Sequence, residues 1–520
     1  MFQKVNSLVW GAMIRQKTDS LFFPMFVKRL VTLFTSLTLA TAGVPAIAAN
    51  DVDLNLPSLG TVAGADLTLT EEREYGEEIM RHIRADAAFL SDDETVDYLN
   101  RLGYRLVAAG RTQPYDFFFF PIRDKSLNAF ALPGGFIAVH TGLVVAAETE
   151  SELAGVIGHE IGHVTQRHIA RMIEQSKGSL AMTVGSILLA ILAARTGGNS
   201  GGNAAVAIAM GTQAAMIQKQ LAYSRDAERE ADRVGLTTLA NAGFDPKGME
   251  SFFSKLQQNS RYYETASTAY LSTHPLTGER MSDVQNRTRS MPVVHHRDSL
   301  DFKLIRERLR VLQETRYDGY LTAARSMQSA LKTAMGNDAV ALHYGLSVAY
   351  EKLGRTADAL KEAKSARALV STESVLLDKN LAEASFNEAK SAKEKDAALA
   401  LAKRTVSNHP YSSMLASTYA DMLFRAGKNT EVIRYLRNQK ALSKRNADYF
   451  SLLARSYEAL GKRAEAFAAT GDMYILLGND KAALYQFEKA QRASDADFYV
   501  MSQIDAKLRT LRNRLKDEKK

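Results

Sequence analysis

The 520-residue sequence contains no cysteine, and this absence narrows the chemistry that the protein can perform. Without thiols there is no disulfide framework, no thiolate nucleophile, and no iron–sulfur cluster or cysteine-ligated metal. Any metal ion must therefore be held by nitrogen and oxygen atoms of His, Asp or Glu. Any fixed arrangement of domains must likewise depend on non-covalent packing.

The sequence also lacks the composition of a disordered chain or of a membrane protein with many spans. It has 46% hydrophobic and 24% charged residues, as a folded globular protein does. At about 100 to 200 residues per domain, its length allows two to four domains, each with its own core.

A strong excess of positive charge is missing too. The net charge is +8, but residues 1–48 contribute five basic residues and one acid. The rest of the chain has 61 basic and 57 acidic residues, a net charge of +4 that argues against nucleic acid as a partner.

Residues 1–48 are predicted to be a cleaved signal peptide. Met25 is followed by Phe-Val-Lys-Arg, an apolar run from Leu30 to Val44, and small residues at Ala46 and Ala48. Met25 alone would start a signal of ordinary length, so it is an alternative true start. An uncleaved anchor is the competing interpretation, although the run is shorter than the roughly 20 residues of a spanning helix. The expected location is the bacterial periplasm.

The next part of the chain combines helices with a few strands. Helices are predicted over Glu71–Phe89 and Asp93–Ala109, strands within Tyr115–Arg123 and Asn128–His140, and one helix over Thr149–Glu174. Pro133-Gly134-Gly135 lies between two apolar runs and predicts a hairpin.

Two uncharged arms around a Gly-rich turn occupy residues 179–217. Each arm is too short to span a bilayer comfortably, so we interpret the pair as a helical hairpin. Two interpretations of this hairpin are compatible with the sequence: its arms pack in the protein core, or they contact a membrane surface peripherally. An integral membrane protease would follow only if the arms span.

From about residue 335 the sequence is rich in Ala, Leu, Lys, Glu and Tyr. Matching residues recur at a 34-residue interval, as in Ala420 and Ala454, Leu423 and Tyr457, and Gly427 and Gly461. This period is typical of tetratricopeptide repeats, which form a helical solenoid that binds proteins in its concave groove. The strict period fails between about 371 and 410, and a plain helical bundle is the alternative.

One short motif carries metal chemistry: His159-Glu160-Ile161-Gly162-His163. Histidines four residues apart share one face of a helix, so both imidazoles can reach one metal ion beside the Glu160 carboxylate. Zinc needs one more protein ligand and an open position. The acid-rich segment from Tyr223 to Asp232 is the candidate source of that ligand.

The HExxH motif, followed some 65 residues later by Glu228-Arg229-Glu230-Ala231-Asp232, resembles the gluzincin family that includes the HtpX-type heat-shock proteases and the CAAX prenyl proteases. The resemblance implies one zinc ion per chain, with His159, His163 and Glu228 as its ligands.

The same resemblance implies that Glu160 is the general base, taking a proton from the attacking water and passing it to the leaving amine. Asp232 shares a helix face with Glu228 and would accept a hydrogen bond from a ligand imidazole. We interpret Glu230 as a surface residue and His168 as a structural one, off the metal face.

The resemblance also implies where a substrate binds. An extended peptide would pair with a strand edge near the zinc, and the candidate edge residues are Asn128, Ala129, Phe130 and Ala131. The segment from Ser272 to Arg280 is similar to the family's His-Pro loop. His274, with Arg280 after it, would then contact the site as a removable zinc ligand or as a donor to the tetrahedral intermediate, while a loop-capping role for His274 is the alternative.

We therefore expect a mainly α protein. Its predicted parts are a lead (49–70), an α+β zinc metallopeptidase domain with a small β-sheet (71–315), and an α-solenoid of tetratricopeptide repeats (316–520). The function that the resemblance implies is hydrolysis of misfolded or stalled outer-membrane β-barrel proteins, with a chaperone-like role. The repeats would contact the barrel assembly machinery. The alternative is a non-enzymatic repeat scaffold with a structural zinc site.

Overall fold

The computed structural model is mainly α-helical with one small β-sheet. It describes residues 67–110, 115–175, 224–262, 268–439 and 447–517. The predicted signal peptide and the apolar arms of residues 179–217 lie outside these stretches. Of the helices that are described, none has the length and apolar character needed to cross a bilayer.

Two amphipathic helices, α1 (Leu69–Ala85) and α2 (Asp93–Ala109), begin the described chain. The bounds predicted for α2 are confirmed, because the Asp92 side chain accepts a hydrogen bond from the backbone of Thr95 and caps the helix. Helix α1 ends before the predicted Phe89, since Phe89 forms an isolated β-bridge instead.

The sheet has three strands, β1 (Phe118–Ile122), β2 (Ala129–Leu132) and β3 (Phe136–His140), in the order β1-β3-β2. The predicted hairpin is confirmed: β2 and β3 are antiparallel and joined by a 3-10 turn in which Gly134 has φ of 75°. Strand β3 also pairs with β1 in parallel, which leaves β2 at an edge of the sheet.

Eight helices follow the sheet in the part of the chain up to residue 315 that the structure describes. They are α3 (Thr141–Ala146), α4 (Glu150–Thr165), α5 (His168–Gln175), α6 (Arg225–Asn241), α7 (Lys247–Tyr262), α8 (Thr268–Thr273), α9 (Gly278–Ser290) and α10 (Leu300–Leu312). The prediction of one helix over Thr149–Glu174 is wrong. Arg167 has a left-handed backbone with φ of 54°, so α4 ends and the chain turns before α5 begins.

The rest of the described chain is an α-solenoid of paired helices. Its helices are α11 (Tyr317–Leu331), α12 (Gly336–Lys352), α13 (Thr356–Ala368), α14 (Val375–Glu388), α15 (Ala392–Asn408), α16 (Ser413–Arg425), α17 (Asn429–Arg437), α18 (Ala447–Ala459), α19 (Arg463–Leu476), α20 (Asp480–Arg492) and α21 (Phe498–Asp517). The first helices of successive pairs begin at residues 336, 375, 413, 447 and 480. The last two steps are 34 and 33 residues, whereas the first two are 39 and 38, which explains why the sequence period fails near 371–410.

Helix α10 joins the two halves of the molecule. It packs against α3 and α2 on one side and against α12 of the solenoid on the other. One hydrophobic core accordingly runs from Leu67 to Ala469, and Val62–Lys520 forms one compact unit. The boundary between residues 315 and 316 stays a prediction.

Buried ion pairs reinforce this junction. Arg308 of α10 donates to Asp92 at 2.6 Å and also pairs with Glu94. Lys379 of α14 donates to Glu94 at 2.8 Å and to Glu383 at 2.7 Å. The Arg308 guanidinium holds the pKa of Asp92 at about 2 although burial acts in the opposite direction. We refer to these five residues as the junction cluster.

Candidate metal centre

The candidate metal centre lies where helices α4 and α6 cross with their backbones very close together. A Cβ at Gly235 would lie 2.8 Å from the backbone nitrogen of His159, and one at Gly162 would lie 3.0 Å from the Cα of Ala231. Only glycine allows backbones this close. The crossing brings the His159 and His163 side chains of α4 against Glu228 in the first turn of α6.

The three predicted metal ligands converge, and His274 joins them. The Nε2 atoms of His159 and His163 are 3.0 Å apart, and Oε1 of Glu228 lies 3.4 Å from His163 Nε2. Nδ1 of His274 lies 2.9 Å from the same carboxylate oxygen and 3.4 Å from His159 Nε2. One donor atom from each of the four lies within 4.8 Å of the others, and all four residues are buried.

Asp232 and Arg280 support this group from behind. Oδ1 of Asp232 lies 2.9 Å from Nδ1 of His159, the ring atom opposite the one that faces the cluster. Arg280 makes two hydrogen bonds of 2.7 Å to Asp232 and pairs with Glu228 at 2.6 Å. The structure thus places Asp232 beside a ligand imidazole, as expected, and Arg280 on the two carboxylates rather than beside His274 alone.

The carboxylate of Glu160 lies in the same buried site, close to His274. Its Oε1 is 3.6 Å from His274 Nε2, and neither carboxylate oxygen accepts a hydrogen bond from the residues that the structure describes. Burial raises the pKa of Glu160, while the neighbouring His274 and His159 act against that rise. A buried carboxylate that accepts no hydrogen bond and has a raised pKa is suited to accepting a proton.

The electrostatics of the other groups suit metal binding. Burial lowers the pKa of His163 well below its usual value, so its imidazole is neutral and keeps a lone pair for a metal. Burial would raise the pKa of Glu228, but the neighbouring imidazoles of His274 and His163 hold it well below its usual value. The donor set is therefore two imidazoles and one carboxylate, with a third imidazole beside them.

The predicted substrate strand lies next to Glu160. The backbone N–H of Ala131 in β2 is close enough to Glu160 to act against the rise in its pKa. Strand β2 contains Ala129, Phe130 and Ala131, while Asn128 precedes it and its backbone oxygen accepts from His140. Among the strands that the structure describes, β2 pairs with β3 alone, so its other edge faces away from the sheet.

Three residues near the site, His168, Glu230 and Tyr270, have contacts that sequence reasoning missed. His168, interpreted as structural and off the metal face, hydrogen-bonds to His163, and Glu230, interpreted as a surface residue, contacts His168. Tyr270 of α8 stacks on the His274 ring at 4.6 Å. No local pattern marks these positions, because each contact depends on a turn or on packing between separate helices.

The comparisons with known proteins agree with this geometry. The model of peptidase family M48 matches residues 94–288, which include all four clustered donors. A putative beta-barrel assembly-enhancing protease of Vibrio cholerae is 34% identical over 91% of this chain and 95% of its own length. The beta-barrel assembly-enhancing protease of Escherichia coli is 30% identical over 94% of this chain and 97% of its own.

A more distant relative shares only part of the chain. The mitochondrial metalloendopeptidase OMA1 of Arabidopsis thaliana is 34% identical over 31% of this chain and 29% of its own length. The family match and the two long alignments together establish the class of this protein. The chain belongs to peptidase family M48 and is a metallopeptidase.

Proposed function

We propose that this chain is an exported zinc endopeptidase that hydrolyses misfolded or stalled outer-membrane β-barrel proteins and has a chaperone-like role in their assembly. The observation that carries the chemistry is the convergence of His159, His163 and Glu228 beside the buried Glu160 carboxylate, which accepts no hydrogen bond from the described residues. The names of the two long relatives, which refer to β-barrel assembly, support the choice of client.

Zinc fits the donor set that the chain provides. Two imidazole nitrogens and one carboxylate are the ligands of catalytic zinc in many hydrolases, and the absence of cysteine agrees with this set. When bound, zinc lowers the pKa of a water molecule and polarises a carbonyl group. One site of this kind in the described residues corresponds to one ion per chain.

The chain's own residues then divide the remaining tasks. Glu160 accepts the proton of the attacking water and donates it to the leaving amine. Asp232 fixes the proton of His159 on Nδ1, so Nε2 keeps its lone pair toward the cluster. The free edge of β2 from Asn128 to Ala131 binds the substrate as an added strand and places its peptide bond near Glu160.

His274 has a gating role in this proposal. It is a fourth donor in a set that needs only three, and a closed four-ligand site leaves no position for water. His274 would therefore silence the site while it held the metal, and it would have to move for hydrolysis. If His274→Ala changes neither zinc affinity nor proteolysis, this part of the proposal is wrong.

The repeats provide the contact with other proteins. We propose that the solenoid binds the outer-membrane β-barrel assembly machinery or a client, and that residues 179–217 touch a membrane surface from the periplasm. Fractionation of cells, with sequencing of the mature N-terminus, tests the location: a cytoplasmic protein that keeps residues 1–48 would contradict it.

The decisive experiment is metal analysis followed by digestion of casein and of an unfolded β-barrel protein. We expect one zinc per chain and loss of proteolysis with a chelator. Glu160→Gln should keep zinc but lower the rate by about 10²–10⁴-fold, since general acid–base catalysis contributes that much. Full activity of this variant would refute the role of Glu160.

A further inference from the structure

The second ligand imidazole, His163, is oriented in a different way from the first. His159 has a carboxylate, Asp232, directly at its Nδ1 atom. Nδ1 of His163 lies instead 2.8 Å from Nδ1 of another histidine, His168, which is buried. Nε2 of His168 in turn lies 3.0 Å from Oε2 of Glu230. Two imidazoles and a carboxylate therefore form a chain that leads away from the metal centre.

The protons of this chain have one consistent arrangement. A neutral imidazole has one N–H and one lone pair. Because Nε2 of His163 faces Glu228 and His159, its lone pair is needed there and its proton belongs on Nδ1. Nδ1 of His168 must then accept, so its proton belongs on Nε2 and is donated to Glu230. Each hydrogen bond thus has one donor and one acceptor.

Arg171 completes the chain at its outer end. Its Nη2 atom lies 2.9 Å from Oε2 of Glu230, the same oxygen that accepts from His168. The positive charge of Arg171 stabilises Glu230 as a carboxylate, the form that accepts a hydrogen bond. Glu230 has a side chain that is 42% exposed, yet it acts on a buried ligand through His168.

The break between α4 and α5 makes this contact possible. In a continuous helix, positions five residues apart are rotated by about 140° and point in different directions. The left-handed backbone of Arg167 ends α4 and redirects the chain, and its side chain donates to Glu72 of α1 at 2.8 Å. His168, the next residue, is thereby turned back onto His163.

We propose that His168 and Glu230 are positioning residues that fix the tautomer and ring orientation of His163 for metal binding. This inference depends on the proposed metal site, which it deepens. Asp232 acts on His159 directly, whereas Glu230 acts on His163 through a neutral histidine. Contacts of this kind behind a ligand typically change metal affinity about 10–100-fold.

The test measures zinc affinity of the full-length chain by competition with a chelator, together with the absorption spectrum of the cobalt-substituted protein. His168→Phe keeps a flat ring but has no acceptor, and it should weaken zinc binding about 10–100-fold. His168→Asn places an acceptor oxygen where Nδ1 stands, and it should restore most of the affinity and the wild-type cobalt spectrum. A purely packing role predicts that Phe is tolerated at least as well as Asn.

Glu230→Ala tests the outer end at a half-exposed position that tolerates substitution. It should weaken zinc binding several-fold, and the control Glu279→Ala, also a glutamate paired with an arginine, should not change it. If the His168→Phe variant does not fold, the zinc affinity of Glu230→Ala by itself decides whether the inference holds. Wild-type zinc affinity in the folded variants would overturn the inference. Failure of the wild-type chain to bind zinc would instead refute the proposed function.

Discussion

The metal centre and the junction cluster are both buried groups of charged residues, but they differ in how their charges are matched. In the junction cluster, Arg308 and Lys379 contact every one of the carboxylates Asp92, Glu94 and Glu383. In the metal centre, Arg280 holds Glu228 and Asp232, while both oxygens of Glu160 accept no hydrogen bond from the described residues.

This difference distinguishes a cluster that stabilises the fold from a cluster that can take part in catalysis. A buried charge without a partner costs free energy, so a cluster that serves stability is expected to be complete. A cluster that serves catalysis is expected to leave atoms for a metal, a water molecule or a substrate. Removing a cation that neutralises buried carboxylates should therefore lower stability in either cluster, whereas removing the charge of Glu160 should not.

The largest effect is expected in the junction cluster. Arg308→Met leaves Asp92 and Glu94 without their shared guanidinium and should lower the free energy of unfolding by about 3–5 kcal/mol. Denaturant unfolding measures this loss. The control is Lys303→Met, which removes the partly exposed pair between α10 and Asp338 of α12 and should cost about 0–1 kcal/mol. Equal losses of unfolding free energy in the two variants would show that the junction cluster stabilises the protein no more than a partly exposed ion pair does.

Arg280→Met makes the matching change in the metal centre. In metal-free protein, Glu228 and Asp232 lose their cation, and we again expect a loss of about 3–5 kcal/mol. Saturating zinc should reduce this loss, because the ion supplies positive charge beside Glu228. Unfolding with and without zinc measures the difference, and a loss that zinc does not change would place Arg280 with the purely structural residues.

Glu160→Gln should have the reverse effect on stability. Replacing a buried carboxylate whose oxygens accept no hydrogen bond from the described residues by a neutral amide should leave metal-free protein as stable as wild type or more stable by about 0.5–2 kcal/mol. The control is Glu152→Gln in the same helix, since Glu152 is buried but bonded to Ser251 and Lys255 at 2.6 and 2.8 Å. Thermal unfolding should show a lower stability than wild type only for Glu152→Gln.

The smallest effect concerns pH at the edge of the junction. Burial raises the pKa of Asp93 to about 6, and the neighbouring Asp92 and Asp448 add to the rise, whereas a hydrogen bond from Ser417 opposes it. The folded protein then holds this proton more tightly than the unfolded chain, so stability falls as pH rises from about 4 to 6.

Asp93→Asn removes this titration. The melting temperature of the variant relative to wild type should therefore increase between pH 5 and pH 7.5. Parallel melting curves at the two pH values measure it, and a relative melting temperature that does not change with pH would show that Asp93 titrates normally.

The parts of the site that were predictable depend on helical periodicity. His159 and His163 are four residues apart, as are Glu228 and Asp232, and residues at this spacing share a face in any helix. The family resemblance then named the second helix, and the structure brings all four together. The role of the Asn128–Ala131 edge stays a prediction, although β2 is an edge strand beside Glu160.

The parts that were not predictable depend on single backbone angles and on distant packing. Nothing in the sequence near Arg167 signals its left-handed conformation, so one helix was predicted where two exist and the contact of His168 with His163 was missed. The partners Glu94 and Lys379 are 285 residues apart, and only the packing of α14 against α2 brings them together.

The sequence by itself determined which chemistry was available: with no cysteine, only histidine and carboxylate groups could hold a metal, and the spacing of His159 and His163 together with the family resemblance named the candidate ligands. Only the tertiary structure decided how the ligands are oriented and how the halves are joined, because those depend on contacts between separate helices. In place of disulfides, buried ion pairs and a shared hydrophobic core hold the two halves of the molecule together. These contacts form only when the whole chain has folded.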